Sequence, residues 1–233
     1  MWRILRELIR ECGDRVDLWI ITHAHNDHFG GLATLLATEE PLDFSIGALH
    51  LSFPPLDWLA QIENGKSFPF ITRFLNRLAY HHLGPQPLKA GMTLNCGGIS
   101  MDILHDERDY ASAGMINDTS IVLRMHFPRR DVLFLGDLGW DSGALLQQRL
   151  APEQLRCDIV QMAHHGQRGV TQDFYNAVRP KICLYPTPDW LWHNDNGGGE
   201  NSGPWETLKP REWMRQLNVE LSCPCAYGDY LLE

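Results

Sequence analysis

Apolar positions in this chain recur at two periods, and the switches between them mark out its elements. Residues 2–12 place Ile4, Leu5, Leu8 and Ile9 on one face of a helix, which Gly13-Asp14 ends. Residues 16–22 are then almost continuously apolar, as a strand buried on both faces is. Helical spacing returns over 29–38 through Leu32, Leu35 and Leu36 and stops before Pro41; 46–53 reads as a second strand, closed by Pro54-Pro55. Helix, strand, helix, strand is the alternation of an α/β chain.

Segment 55–84 breaks that alternation. Leu56, Trp58, Leu59 and Ile62 suggest one short helix, and Phe70, Ile71, Phe74, Leu75, Leu78 and Ala79 a second. Its aromatic residues either wall a pocket or belong to the core. His81 and His82 fall at the end of the second helix, where the dipole favours a cationic side chain. From 87 to 135 the period becomes that of strands, over 92–95, 99–104, 119–127 and 131–136, with Phe127-Pro128-Arg129-Arg130-Asp131 as a hairpin turn. A helix over 140–150 follows. Strand 157–163, helix 171–178 and strand 181–186 then make a βαβ-like unit. A Gly/Asn-rich loop, 194–203, leads to a last helix over 205–217 and a terminal strand pair. Without internal repeats or a long linker, residues 1–233 read as one domain, with 55–84 a helical insertion.

Composition narrows the classes of function. The 233 residues are 44% hydrophobic, an ordinary globular content, and no apolar run reaches the roughly eighteen residues of a membrane span. The N-terminal helix carries Glu7 and Glu11 and is amphipathic, unlike a signal peptide. The six cysteines are scattered, and Cys223-Pro224-Cys225 lacks the spacing of a zinc or redox pair, so a reducing cytoplasm is the simplest reading. A net charge of −9 and the lack of a basic stripe do not support nucleic acid as a partner and favour a small-molecule substrate.

The chemistry concentrates at strand ends. Directly after strand 16–22 comes Thr22-His23-Ala24-His25-Asn26-Asp27-His28-Phe29-Gly30-Gly31. Imidazole and carboxylate suit zinc, manganese and iron. His23 and His25, two apart, can point to one side of an extended segment, while Asp27 and His28 turn with the chain towards a second point. The loop therefore serves either one metal or two. Leu133-Phe134-Leu135-Gly136-Asp137 ends another apolar strand on an acid, which is a ligand or the cap of helix 140–150. Ile159-Val160-Gln161-Met162-Ala163-His164-His165-Gly166 repeats the design with two histidines. His193, beside Trp190 and Trp192, is either a metal or substrate contact or an exposed loop residue.

Residues 22–31 resemble the H-x-H-x-D-H-x-G-G signature of the metallo-β-lactamase superfamily. The strand-His-His-Gly of 159–166 resembles the branch that includes the hydrolase-like domain of the DNA-uptake competence protein. The resemblance implies a four-layer αββα sandwich. It also implies one or two zinc ions, with manganese or iron as alternatives, held by His23, His25, Asp27, His28, Asp137 and His165, and Asp137 bridging. It further implies a hydrolase using metal-activated hydroxide, most simply on a phosphodiester or other small ester-type substrate. Asp27, Asp137 and His164 then carry the catalysis, and His164 or His193 protonates the leaving group.

Two features depart from the superfamily pattern. Where a third-motif histidine is expected the chain reads Ile116-Asn117-Asp118-Thr119-Ser120, so either Asp118 or Asn117 replaces that ligand or the first metal keeps fewer protein ligands, with His105 a weaker substitute. Only residues 1–22 precede the histidine motif, where the superfamily has several strands and an Asp-Gly-Gly-like turn. The chain thus reads as shortened at its N-terminus, with an open sheet edge. The alternative to a hydrolase is a truncated metal-binding protein without catalysis that works through a partner.

Overall fold

In the computed structural model, which describes residues 2–232, the two strand-like runs of the first part pair in parallel. Helix α1 (Trp2–Glu11) leads into β1 (Arg15–Ile21), and β1 pairs with β2 (Ser45–Leu51) in a register that sets Val16 against Ile46 and Ile21 against Leu51. Between them runs α2 (Asn26–Leu35), which begins three residues before the predicted start, inside the histidine motif. His25 therefore occupies the N-cap, and Asp27 and His28 stand in the first helical turn rather than on a loop. A carboxylate is favoured there, since the helix dipole is positive at that end.

Segment 55–84 folds as α3 (Leu56–Leu59), a 3-10 turn (Ile62–Gly65) and α4 (Phe68–Tyr80). The face of α4 bearing Ile71, Phe74 and Leu78 is buried against α2, with the Phe29 and Phe74 rings stacked at 4.7 Å. Phe74 is thus core, while Phe70 on the same helix is exposed. His81 at the end of α4 hydrogen-bonds the carbonyls of Leu36 and Thr38 through Nε2, satisfying acceptors that the end of α2 leaves free.

The second sheet has seven strands in chain order: β3 (Thr93–Cys96), β4 (Ile99–His105), β5 (Val122–His126), β6 (Asp131–Phe134), β7 (Ile159–Gln161), β8 (Ile182–Tyr185) and β9 (Leu221–Pro224). β3 to β6 are antiparallel neighbours, and β6 to β9 run parallel. Parallel strands need crossovers, supplied by α5 (Trp140–Arg149), α6 (Pro152–Leu155), α7 (Gln172–Val178), α8 (Asp189–Trp192) and α9 (Leu208–Gln216). Two details differ from the periodicity. Residues 116–119 form a 3-10 turn ahead of β5, and the terminal strand pair is a single strand followed by a turn at Cys225–Tyr227.

Three buried clusters show the layering. Phe29, Leu32, Leu49 and Phe74 join α2 and α4 to the first sheet. Leu88, Ile103, Ile121 and Leu123, with Ile20 against them, fill the space between the sheets. Leu133, Val160, Phe174, Val178 and Met214 join the second sheet to α5, α7 and α9. The order helices, sheet, sheet, helices is the predicted αββα arrangement. Where β1 ends, Ile121 N–H donates to Thr22 O at 2.8 Å and ties the two sheets together. Among the described residues, no helix is long and apolar enough to cross a membrane.

On the second sheet, His126 of β5 bridges its neighbours, with Nε2 2.9 Å from Asp102 Oδ2 on β4 and Nδ1 3.1 Å from Asp131 Oδ1 on β6. The Asp102 hydrogen bond is the main cause of a pKa above the ordinary histidine value. The folded state thus holds the proton more tightly than the unfolded chain. This stabilisation is complete below about pH 6.5 and is lost as pH rises through the folded value. For a pair this open to solvent it amounts to about 0.5 kcal/mol. His126→Gln is therefore expected to lower urea-unfolding stability by about that much near pH 5.5 and by almost nothing on the alkaline side. A loss equal at both pH values would rule out the proton-linked origin.

Candidate metal centre

The site lies where β1, β6, β7 and β8 end. His23 is wholly buried, and its Nε2 faces His25 Nδ1 at 3.2 Å. Glu63, in the 3-10 turn of segment 55–84, accepts from His25 Nε2 at 3.0 Å through one oxygen and from Ile116 N–H at 2.9 Å through the other. A carboxylate can only accept, so the His25 proton sits on Nε2 and Nδ1 is turned towards His23. Burial alone would lower the His25 pKa, but the Glu63 bond and charge outweigh it and hold it above the ordinary value. For His23, burial and the nearby His28 push the pKa well below ordinary, which keeps this imidazole neutral and available as a ligand.

Asp137 is the centre of the cluster. It follows β6 through Gly136, whose backbone is left-handed (φ 54°), and its own N–H donates to Ser120 Oγ at 3.1 Å. The Gln161 amide on β7 accepts from the N–H groups of Leu135 and Gly136 at 3.0 and 2.8 Å and so holds this strand end in place. Asp137 Oδ2 lies 3.2 Å from His28 Nε2, 3.3 Å from His165 Nε2, 3.9 Å from His23 Nε2 and 4.0 Å from His164 Nε2. The carboxyl is only 3% exposed. Burial would raise its pKa, yet the His165 and His28 contacts hold it well below the ordinary range, so it is ionised.

Asp27 completes the cluster, with Oδ2 3.1 Å from His165 Nε2 and 3.6 Å from His28 Nε2. Against the effect of burial, the His165 bond brings the Asp27 pKa down to about 2. The same two carboxylates, Asp137 first, lift His165 to about 10 although burial opposes it. One donor atom each from Asp27, His28, Asp137 and His165 lies within 4.8 Å of all the others. Asp137 Oδ1 is buried with no hydrogen-bond partner, and His28 Nε2, although 3.2 Å from Asp137 Oδ2, makes no bond of hydrogen-bond geometry. Unpaired buried polar atoms are costly. Two of them in one cluster of nitrogen and oxygen donors fit a cation held among these side chains.

His164 and His165 reach the cluster by an unusual route. Both are left-handed, at φ 51° and 59°, and Gly166 continues the run at 79°. Their Nδ1 atoms face carbonyl oxygens, Arg168 O at 2.6 Å for His164 and Pro186 O at 2.9 Å for His165. Carbonyls only accept, so each Nδ1 carries a proton; His165 Nε2 also donates, to the Asp27 carboxylate, and would give up that proton on binding an ion, whereas His164 Nε2 carries the lone pair.

Of the residues singled out in the sequence, the structure gathers His23, His25, Asp27, His28, Asp137, His164 and His165. Asp118 and His193 are not brought to the cluster. Asp118 is buried beside Gly139 at the start of α5, with Oδ1 unpartnered, and burial raises its pKa. His193 ends α8, with Asp189 at 3.6 Å, Glu200 at 3.8 Å and the Tyr227 ring beside it. Trp190 packs on Trp205, and Trp192 on Tyr185 and Arg211, so this loop packs on its own scaffold. His105 is buried and bonded to Ser120 O at 2.8 Å. Glu63 was not foreseen, because an acid in a polar Glu-Asn-Gly turn carries no sequence signal. Gln161 did carry one, as a polar residue inside an apolar strand.

The family model described as Metallo-beta-lactamase superfamily matches residues 2–173, a span containing every clustered residue. Among solved structures, the chain is similar to the metallo-beta-lactamase fold protein YhfI from Bacillus subtilis. The identity is 13%, the cover 94% of this chain and 80% of that one, and the TM-score 0.53. It is also similar to CmlA, a diiron β-hydroxylase from Streptomyces venezuelae, at 13% identity and a TM-score of 0.55. That likeness covers 90% of this chain but 44% of CmlA. At such identity these likenesses speak for the fold. No curated protein matches the chain.

Proposed function

The chain belongs to the metallo-beta-lactamase superfamily, whose members bind divalent metals, and from that premise we propose that it is a metal-dependent hydrolase. The observation that carries the reading is the meeting of Asp27, His28, Asp137 and His165 from three separate strand ends, with unpaired donor atoms among them. These four would hold one ion, and His23 and His25, sharing Asp137, a second. Zinc suits the donor set, as do manganese and iron. A divalent ion here supplies Lewis acidity and brings the ionisation of water towards neutral pH.

The protein groups have separate tasks. Asp137, ionised and buried, supplies fixed negative charge shared by both positions and a free oxygen, Oδ1, that can accept a proton-bearing ligand. Asp27, on the first turn of α2, is the most solvent-open member and can orient the nucleophile. Glu63 keeps His25 in one tautomer. His193, engaged by Asp189 and Glu200, is not used as proton donor in this reading.

For the substrate the reading is a phosphodiester or another small ester. The His164-His165-Gly166 resemblance favours phosphoryl chemistry, and the net charge of −9 favours a small molecule over long nucleic acid. The test is chelation and reloading. Protein stripped of metal and reloaded with zinc, manganese or iron is assayed for metal content by mass spectrometry and for turnover of bis(p-nitrophenyl) phosphate and of a chromogenic β-lactam. Phosphodiester turnover is expected to vanish on chelation and return on reloading. Protein that takes up no metal, or turnover indifferent to chelator, would sink the reading. Metal uptake with no turnover of either compound would instead give the chain the non-catalytic, partner-dependent role.

A further inference from the structure

We infer that His164 is the missing ligand of the first metal position, joining His23, His25 and Asp137 where the Asn117 side chain supplies none. The inference rests on the metal-dependent reading above and specifies the chemistry of its less obvious half.

Three observations carry it. The first is the tautomer. With Nδ1 donating to Arg168 O at 2.6 Å, His164 has its lone pair on Nε2, the atom turned into the site. A residue kept only as a proton donor to substrate would need that proton on the other nitrogen.

The second is placement. His164 Nε2 and His23 Nε2 lie at nearly equal distances, 4.0 and 3.9 Å, from the same Asp137 oxygen. Donor atoms around a tetrahedral zinc lie about 3.4 Å apart, given metal–ligand bonds of about 2.0–2.2 Å. The two imidazoles stand about half an ångström beyond that spacing from Asp137. Asn117 lies beside them, its Nδ2 donating to the His164 Nε2 lone pair at 3.2 Å, a bond an ion would replace, and its Oδ1 buried without a partner. A neutral amide is a poor zinc ligand beside an imidazole. The histidine that the third motif lacks is thus supplied by the strand-end pair.

The third is strain. A left-handed non-glycine residue is strained, and two follow one another here. If only His165 were a ligand, residue 164 could be glycine or asparagine at less cost. The turn makes sense when both imidazoles must face one carboxylate.

Among the described residues, only the Asp27, His28, Asp137 and His165 set has its donor atoms all within 4.8 Å of one another. The His164 position is therefore the looser and fills second. The experiment is a zinc titration of metal-free protein by calorimetry, with bound metal counted by mass spectrometry, for wild type, His164→Asn and His165→Asn. Asparagine tolerates left-handed backbone and is too short to reach the ion, so both variants keep the turn. Circular dichroism of the metal-free variants checks this. The expected result is two equivalents in wild type, tight then weaker, and one tight equivalent in His164→Asn; His165→Asn loses the tight event. Two equivalents in His164→Asn would overturn the assignment. So would a single wild-type equivalent that survives in His164→Asn and disappears in His165→Asn, although the metal-dependent reading would stand. A wild type that binds no zinc, manganese or iron would overturn both.

Discussion

Asp137→Ala is expected to bind no metal tightly and to lose at least about a thousandfold in phosphodiester turnover, roughly 4 kcal/mol of transition-state stabilisation. The size follows from where the carboxylate stands. One oxygen faces the Nε2 atoms of four histidines, His28, His165, His23 and His164, at 3.2 to 4.0 Å. Among the described residues no other acid comes this close to both halves of the site, since Asp27 contacts only His28 and His165. Removal therefore strips both positions of their shared charge and leaves imidazoles facing one another in a buried space. A second readout tests the same geometry without metal. The His165 imidazole, lifted to about 10 by Asp137 and then Asp27 against the effect of burial, should titrate much nearer the ordinary histidine value in the variant. Nuclear magnetic resonance titration of metal-free protein measures this. Unchanged metal content together with an unchanged His165 titration would mean that Asp137 is not the centre of the site.

Gly166→Ala should unfold far more easily, by about 3 kcal/mol, a fall in Tm of roughly 6–12 °C for a chain of this size. Two costs combine. The backbone there is left-handed (φ 79°), which alanine resists. A Cβ would also stand 3.0 Å from Tyr185 Cε1 and closer still to Cδ1. Tyr185 cannot yield cheaply, because it is 1% exposed and its ring packs edge-on against Trp192 at 5.3 Å. Relief must come from the turn itself, which displaces His165 and weakens metal binding along with the fold. Gly197→Ala is the control. Its backbone is also left-handed (φ 100°), but nothing lies within 4 Å of the added carbon, so only the backbone cost of about 1 kcal/mol remains. Equal melting shifts for the two variants would show that the contact with Tyr185 contributes nothing.

The parts of the site that could be read from the chain are those built locally. Apolar runs ending in Thr22-His23, Gly136-Asp137 and Ala163-His164 identify strand ends because buried strands stop where polar ligand side chains begin. The βαβ unit of β7, α7 and β8 was legible for the same reason, its period switching between the two forms of regular structure. The start of α2 was not. The apolar period begins only after the glycines, while hydrogen bonding already begins at His25, whose carbonyl accepts from His28 and Phe29. Asp118 and His193 look like ligands by residue type, yet the fold sets them elsewhere: Asp118 beside Gly139 at the start of α5, His193 between Glu200 and Tyr227.

By itself, the sequence determined the elements, their α/β alternation and three of the segments that bear ligands, because hydrophobic period and strand-end chemistry are properties of neighbouring residues. Only the tertiary structure decided which atoms face one another. It set His165 against Asp27, a contact spanning 138 residues, and Glu63 against His25, and it turned both His164 and His165 towards Asp137. Such pairings depend on the packing of two sheets and the sign of a few φ angles, which no local pattern of residues encodes.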